Sequence, residues 1–484
     1  MCTSSERVPD RRALGQGLPV RLVSLIAVAL SVACASPRKT NQEMLQHMQA
    51  GDPMAAIGVL DLAREDAYGE KNEFLYHLER GMLLHYAGQW AESNQSFAAA
   101  SRVADELYTL DLSGELATWM SNDNARPYYG QNFERALVHM FGALNYQELG
   151  QYADALVEIR QLNYLLRKMV VDGETNTYDD DAFAHYLAGI FFSERGENDE
   201  AFVAYKLALD AYAQYPAKYG IATPPSLRRD AARTAQLLGG WAVRELEEKY
   251  GKFEAVASSD GDGEVVVLHY NGQAPEKIDV FIDVAFGEGW AYVNQIKAED
   301  EGDEQVAQAT GLAASIAATD SIRVAFPEYR RIPRRIRSMS VASGGDPAVN
   351  AELVESVGAI AEKDLADHIA RIRTKAIARA VVKYAIGKAA QEAAKQVGGN
   401  YGQLFGAAIQ VTSAIVRNAS EVADKRAWFS APEEIWLARL DLTPGDHVLD
   451  LTYRDENGGV VSSQQVKVTV AEGKRSFVFV RTMN

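Results

Sequence analysis

The sequence predicts an α+β protein: an N-terminal α-solenoid of stacked helix pairs, followed by an antiparallel β-sandwich-like domain with a helical insertion. Three observations lead there. A ten-residue outline recurs three times between residues 88 and 205. Strand-like alternation starts abruptly after Tyr250, and a long run of helix formers, 351–396, falls between strands.

The recurring outline reads GQWAESNQSF (88–97), GQYADALVEI (150–159) and GENDEAFVAY (196–205). Five residues after each glycine stands a small residue (Ser93, Ala155, Ala201), and four further a bulky one (Phe97, Ile159, Tyr205). Seven residues before each glycine stands another small one: Gly81, Ala143, Gly189. A weaker fourth copy surrounds Gly51, with Ala56, Leu60 and Ala63. Small side chains at fixed offsets let two antiparallel helices approach closely, and a bulky one plugs the gap between successive pairs. The glycine belongs at the turn, where positive φ carries little penalty.

At these positions the chain resembles the tetratricopeptide (TPR) family, which implies a curved stack with a concave groove for a peptide or partner protein. The glycine spacings of 37, 62 and 46 depart from the constant 34 of that family, so the extra residues are expected in loops between pairs. His77, His139 and His185 each precede their glycine by eleven residues. Equivalent positions lie a whole helix pair apart, so they are expected to pack within the solenoid rather than to bind a metal. SLRRDAARTAQLLGGWAVRELEEKYG (226–251) continues the helical pattern and would cap the stack.

The first residues address the chain. Arg7, Arg11, Arg12 and Arg21 precede the apolar run LVSLIAVALSVA (22–33), which is short for a bilayer span and suits an export signal. SVAC (31–34) resembles a bacterial lipobox, although Ser31 stands where that pattern usually has Leu. The resemblance implies that Cys34 becomes the lipidated first residue after a signal peptide of residues 1–33. Ala35 and Ser36 carry no acidic retention signal, so the expected address is the outer membrane, periplasm-facing. Cys2, the other of two cysteines, would leave with the signal. The net charge of −17 argues against nucleic acid as a partner.

The solenoid is thus expected over 34–255 and a β-rich domain over 256–484, with its helical insertion at about 350–428. Strands are expected at EVVVLHYNG, KIDVFIDVAF, SIRVAFPEYRRI, IRSMSVAS, WLARLDLTPGDHVLDLTYRD, VVSSQQVKVTV and RSFVFVRT, with Asn271-Gly272 reading as a hairpin turn. Residues 396–416 carry no charge and read as a helix packed on protein rather than in lipid. Stretches such as YYGQNFERALVHMFGALNYQELGQYADALVEIRQLN and ADKRAWFSAPEEIWLARLDLTPGDH resemble a family of exported TPR lipoproteins of Gram-negative bacteria. That resemblance implies architecture and address rather than mechanism.

No phosphate loop, HExxH pattern or GxSxG elbow appears, so no reaction and no cofactor or metal is expected. Function is read as that of a lipid-anchored envelope scaffold holding a partner protein. Arg126, Tyr128 and Tyr129 combine a cation with aromatic area ahead of the central repeat. With Glu134, Glu158 and Arg160 on its helices they form the expected partner surface, inter-helix salt bridges being the alternative for the last two. Arg330, Arg331, Arg334, Arg335 and Arg337 suit an anionic surface such as lipid headgroups, lipopolysaccharide or a glycan carboxylate. Lys375, Arg379 and Lys383 share one helix face and suit the same contact. The alternative for both is a face neutralised by the protein's own acids. The alternative function is a glycan-binding or glycan-cleaving envelope protein with its site in the β-rich domain.

Overall fold

A computed structural model describes residues 37–113, 126–171, 178–253, 262–285, 321–396 and 423–483. Cys34, nearly all of the uncharged stretch 396–416 and the side chain of Lys383 lie outside the described residues.

Helices come first. Among the described residues four hairpins pair α1 (Pro37–Gln49) with α2 (Pro53–Leu62), α3 (Glu73–Tyr86) with α4 (Trp90–Ser113), α5 (Asn132–Glu148) with α6 (Tyr152–Val171), and α7 (Ala182–Glu194) with α8 (Asn198–Tyr212). Their turns are built alike. Gly51, Gly88, Gly150 and Gly196 take φ of 76°, 70°, 68° and 74°. In each turn the next residue's N–H returns to a carbonyl five residues back, as in Gln89 to Leu84 and Glu197 to Phe192. The weak first copy therefore makes the same turn as the other three.

The bulky repeat residue does more than fill the space between pairs. Within its own hairpin Phe97 lies on Gly81, where an added Cβ would come 2.5 Å from the ring, and Tyr205 lies on Gly189 at 2.3 Å. Phe97 also stacks on Phe141 of the following hairpin, ring centroids 6.4 Å apart. Beyond α8 come α9 (Tyr215–Tyr219), α10 (Pro225–Leu238) and α11 (Gly240–Tyr250), the last two separated at Gly239 with φ of 103°.

Ten strands follow. The first sheet runs β10-β1-β7-β6, from β1 (Gly263–Asn271), β6 (Glu352–Glu355), β7 (Glu434–Leu442) and β10 (Arg475–Thr482). The second runs β5-β4-β8-β9, from β4 (Ser338–Ser343), β5 (Val349–Asn350), β8 (Gly445–Arg454) and β9 (Val460–Val470). β2 (Glu276–Ala285) and β3 (Ser321–Arg330) pair apart from both. Among the described residues one pairing departs from antiparallel order: β1 and β10 run parallel. Asn271-Gly272 is not a hairpin turn either. β1 pairs with β7 and β10, β2 with β3, and Gly272 N–H bonds Thr482 O as the chain leaves the sheet.

β1 is buried along its whole length, which explains its unbroken EVVVLHYN. Val265 and Val267 join Leu440 and Val480 in an apolar cluster with Met339, Val341, Leu449 and Leu451 of the second sheet. Val266, Leu268 and Tyr270, on the opposite face, join Phe141, Leu187 and Phe191 of the helices. The first sheet is therefore a middle layer between the helix array and the second sheet. The long helix α12 (Val357–Gln396) separates β6 from β7, and the two short strands β5 and β6 occupy residues where helix was expected from about 350.

Gly81→Ala and Gly189→Ala should each lower the unfolding free energy by about 1–3 kcal/mol in urea titrations, since the ring above must move. A loss below about 0.5 kcal/mol at both sites would contradict the close approach.

Candidate functional site: the inner face of the helix array

Helices α3, α5 and α7 are the buried members of their pairs, and their inward residues meet the rest of the chain rather than water. Residues 423–433, which link the α12 region to β7, cross this face. Two buried carboxylates hold the crossing. Glu79 of α3 accepts Phe429 N–H at 2.7 Å and Ser430 N–H at 2.9 Å. Glu134 of α5 accepts Trp428 N–H at 2.8 Å through Oε1. Its Oε2 takes Gln131 N–H at 2.8 Å, capping α5, and the Tyr128 hydroxyl at 2.6 Å.

The side chains of the crossing are as fixed as its backbone. The Trp428 indole, 1 % exposed, meets Phe141 and Phe97 edge-on at 5.7 and 6.2 Å. Tyr86 donates its hydroxyl to Ser430 O at 2.9 Å. Arg426 lies 4.8 Å over the Tyr128 ring and donates to Asn72 Oδ1 and Arg126 O at 3.1 and 2.8 Å. Lys277 of β2, also buried, donates to Arg426 O at 2.9 Å. Burial pushes the Glu79 carboxyl up to about 7 against the pull of its two amide donors, and it holds the Lys277 amine below its ordinary value.

Two polar networks are among the further contacts that join the array to the first sheet. His85 of α3 has Nδ1 2.6 Å from Asn145 Oδ1 and Nε2 2.9 Å from the Tyr270 hydroxyl. Asn145 Nδ2 already donates to Ser93 Oγ and Asn94 Oδ1, so its oxygen accepts, His85 Nδ1 carries the proton and Tyr270 donates to Nε2. Burial brings the imidazole down to about 4 and keeps it neutral at pH 7.

The second contact is ionic. Arg439 of β7 pairs with Asp230 of α10, donates to Glu264 Oε1 of β1 at 2.6 Å, and reaches the Tyr186 hydroxyl at 3.0 Å. Arg475 of β10 donates to Glu264 Oε2 at 2.7 Å and to Ile190 O of α7 at 2.8 Å. Burial raises the Glu264 carboxyl, and the Arg439 and Arg475 guanidinium groups overcome this and hold it well below the ordinary range.

The six residues expected on a partner surface do not share one. Tyr128 and Glu134 are buried beneath the crossing segment because a ring and a carboxylate find their partners inside the chain. The Arg126 carbonyl accepts from Arg426, and Tyr129 packs edge-on to Tyr108 at 6.1 Å. Glu158 pairs with His139 at 2.6 Å, while Arg160 is exposed. His185 likewise meets Asp180 at 2.7 Å.

The arginine cluster is partly neutralised by the chain's own acids. Arg330 meets Glu276. Arg331 forks onto Glu362 at 2.7 Å through both nitrogens, and Arg334 meets Glu434. Arg335 and Arg337 remain exposed. Arg331 and Arg334 also flank buried Glu433 at 3.4 and 3.6 Å, whose carboxylate lies so close to Gly358 of α12 that a Cβ there would come within 2.1 Å.

Sequence reasoning missed Glu79, His85, Asn145, Arg439 and Trp428. The available signal was a polar residue at a position whose periodicity points inward, such as Arg439 within WLARLDL. The partners lie up to 351 residues away, beyond any local pattern.

No protein-family model matches the sequence, and no curated protein matches it. Two solved structures share part of its outline, both of a Podosopora anserina protein described as a kinesin light chain with nearly identical TPR-like repeats. One is 14 % identical and covers 44 % of this chain and 93 % of its own, with a TM-score of 0.30. The other, a substituted form, is 14 % identical and covers 44 % and 91 %, with a TM-score of 0.29. The helix-pair assignment rests on the four like turns and the ring-on-glycine contacts.

Arg439→Met should cost about 3–5 kcal/mol, since buried Asp230 and Glu264 would lose the guanidinium that joins them. The two carboxyls give opposite pH slopes. The Glu264 contribution is present above the ordinary carboxylate range and is lost as pH falls toward its depressed folded value. Glu79 binds its proton more tightly folded than unfolded, so it lowers stability as pH rises from 4.5 to about 7. Denaturant titrations of Glu79→Gln across that window should show a smaller fall than wild type, and an unchanged slope would refute a carboxyl raised by burial.

Proposed function

We propose that this chain is a lipid-anchored scaffold of the bacterial envelope that holds a partner protein on the outer face of its helix array. The observation behind this reading is the division of the array into two faces. The inner helices are closed against residues 423–433 and the first sheet, whereas the outer helices α6 and α8 expose Val157, Tyr164, Val203 and Leu207. Val157 and Val203 each stand seven residues after their turn glycine, so the repeat sets equivalent apolar side chains on consecutive hairpins. Scattered exposed apolar residues are ordinary on a protein surface, but a matched pair on adjacent repeats suits a partner's apolar edge.

The N-terminal sequence supports the address: an export-type apolar run, then Cys34, then the polar residues ASPRKTN (35–41) ahead of most of α1. A lipid on Cys34 would hold the array close to the membrane, and the outer-membrane, periplasm-facing placement follows from Ala35 and Ser36. This role requires no reaction of the chain, in keeping with the lack of a nucleophile or metal motif in its sequence.

A photo-crosslinking residue at position 157 or 203 in intact cells should give a discrete adduct with one envelope protein, and one at position 128 should give none. Adducts from 128 alone, or from no position, would overturn the outer-face reading. Labelled palmitate should enter wild type and not Cys34→Ala, and label in both would refute the anchor.

A further inference from the structure

Where the helix array meets the end of the first sheet, a half-open cavity of about 180 Å³ lies between α7, α8 and α10 and the first residues of β1 and β10. Its floor includes Glu264 and Arg475, which with Arg439 behind them form a network whose charges are matched within the protein. The walls are different. Arg233, Lys474, Asp262 and Asp441 line the cavity, and among the described residues none of the four has a hydrogen bond or close ion pair to its side chain; Glu194, held by Gln147, is a third wall carboxylate and feels the Lys474 charge. Tyr205 also lines it, fully buried, with a hydroxyl that has no hydrogen-bond partner. An unmet buried hydroxyl is destabilising, and a ligand atom that meets it removes the penalty.

The sheet register spreads these charges. Glu264 on β1 stands opposite Asp441 on β7 and Arg475 on β10, so the three share the helix-facing side at this end of the sheet. Asp441 and the Lys474–Arg475 step therefore flank β1 from two sides, about 10 Å apart at two strand spacings. A small anion entering here would meet the carboxylates of Asp262, Asp441 and Glu194, and a small cation the charges of Arg233 and Lys474. A molecule bearing both charges satisfies both sets.

We propose that this cavity is a binding site for a small zwitterion of amino-acid or dipeptide size, its carboxylate taken by the Arg233 and Lys474 cations and its ammonium by Asp262 and Asp441. The wall charges select the class, and the rigid ionic floor keeps the site formed in the absence of ligand. This site is independent of the outer face of α6 and α8, so the two readings stand or fall separately.

Calorimetric titration of the full chain tests it with L-alanine, L-lysine, L-glutamate and glycylglycine, beside N-acetylglycine and glycinamide as singly charged controls. At least one zwitterion should bind about tenfold or more tighter than both controls. Arg233→Gln and Asp441→Asn should each weaken it by about tenfold or more while leaving the melting temperature unchanged. Tyr205→Phe, which deletes only the unmet hydroxyl, should weaken binding without loss of fold. No binding by any of the four zwitterions, equal binding by a control, or binding insensitive to both charge variants would overturn the proposal.

Discussion

Glu79 and Glu134 face inward from two consecutive helix pairs, deep enough that each carboxylate needs donors from the protein. The amide groups of Trp428, Phe429 and Ser430 supply them, three in succession along the crossing segment. Hydrogen bonds to a charged group contribute about 1.5–3 kcal/mol each, and a buried carboxylate without them is among the costlier defects a core can hold. The segment and the array therefore fix each other. The same grip sets Trp428 between Phe97 and Phe141, where it fills space that an open groove would leave to water or a ligand.

The remaining contacts build on that closure. With residues 423–433 seated, the first sheet packs on the array through Val266, Leu268 and Tyr270. Tyr270 then reaches His85, and Arg439 reaches Asp230. Hydrogen bonds and charges from β1, β7 and β10 thus end on α3, α7 and α10. A repeat array of this kind would otherwise flex from pair to pair, each unit touching only its neighbours. Here the middle sheet spans several pairs and converts the array into one side of a layered body.

Much of the architecture was legible in the sequence because it follows from local rules. A glycine with positive φ, a small residue seven positions before it and a bulky one nine after describe a single hairpin, and every atom involved lies within seventeen residues. Strand positions were legible for the same reason, through alternation and turn residues. What occupies the inner face was not. Tyr128 and Glu134 read as parts of a contact surface because a cation with aromatic area at Arg126, Tyr128 and Tyr129 suits binding. Their partner is the chain itself, 294 residues further on. Asn271-Gly272 misled in a related way: the dipeptide makes a turn, but β10 takes the place beside β1 that a hairpin would have given β2. Long-range pairing is decided by which buried groups remain unsatisfied, and no window of sequence records that.

Hydrogen exchange at the amides of Trp428, Phe429 and Ser430 in the native protein measures the closure directly. If Glu79 and Glu134 hold those amides in the core, they should exchange as slowly as the central amides of α5 and α7, through global unfolding alone. Exchange as fast as at the exposed turn 455–459 would mean that the inner face stands open in solution, and the account of a self-closed array would fail.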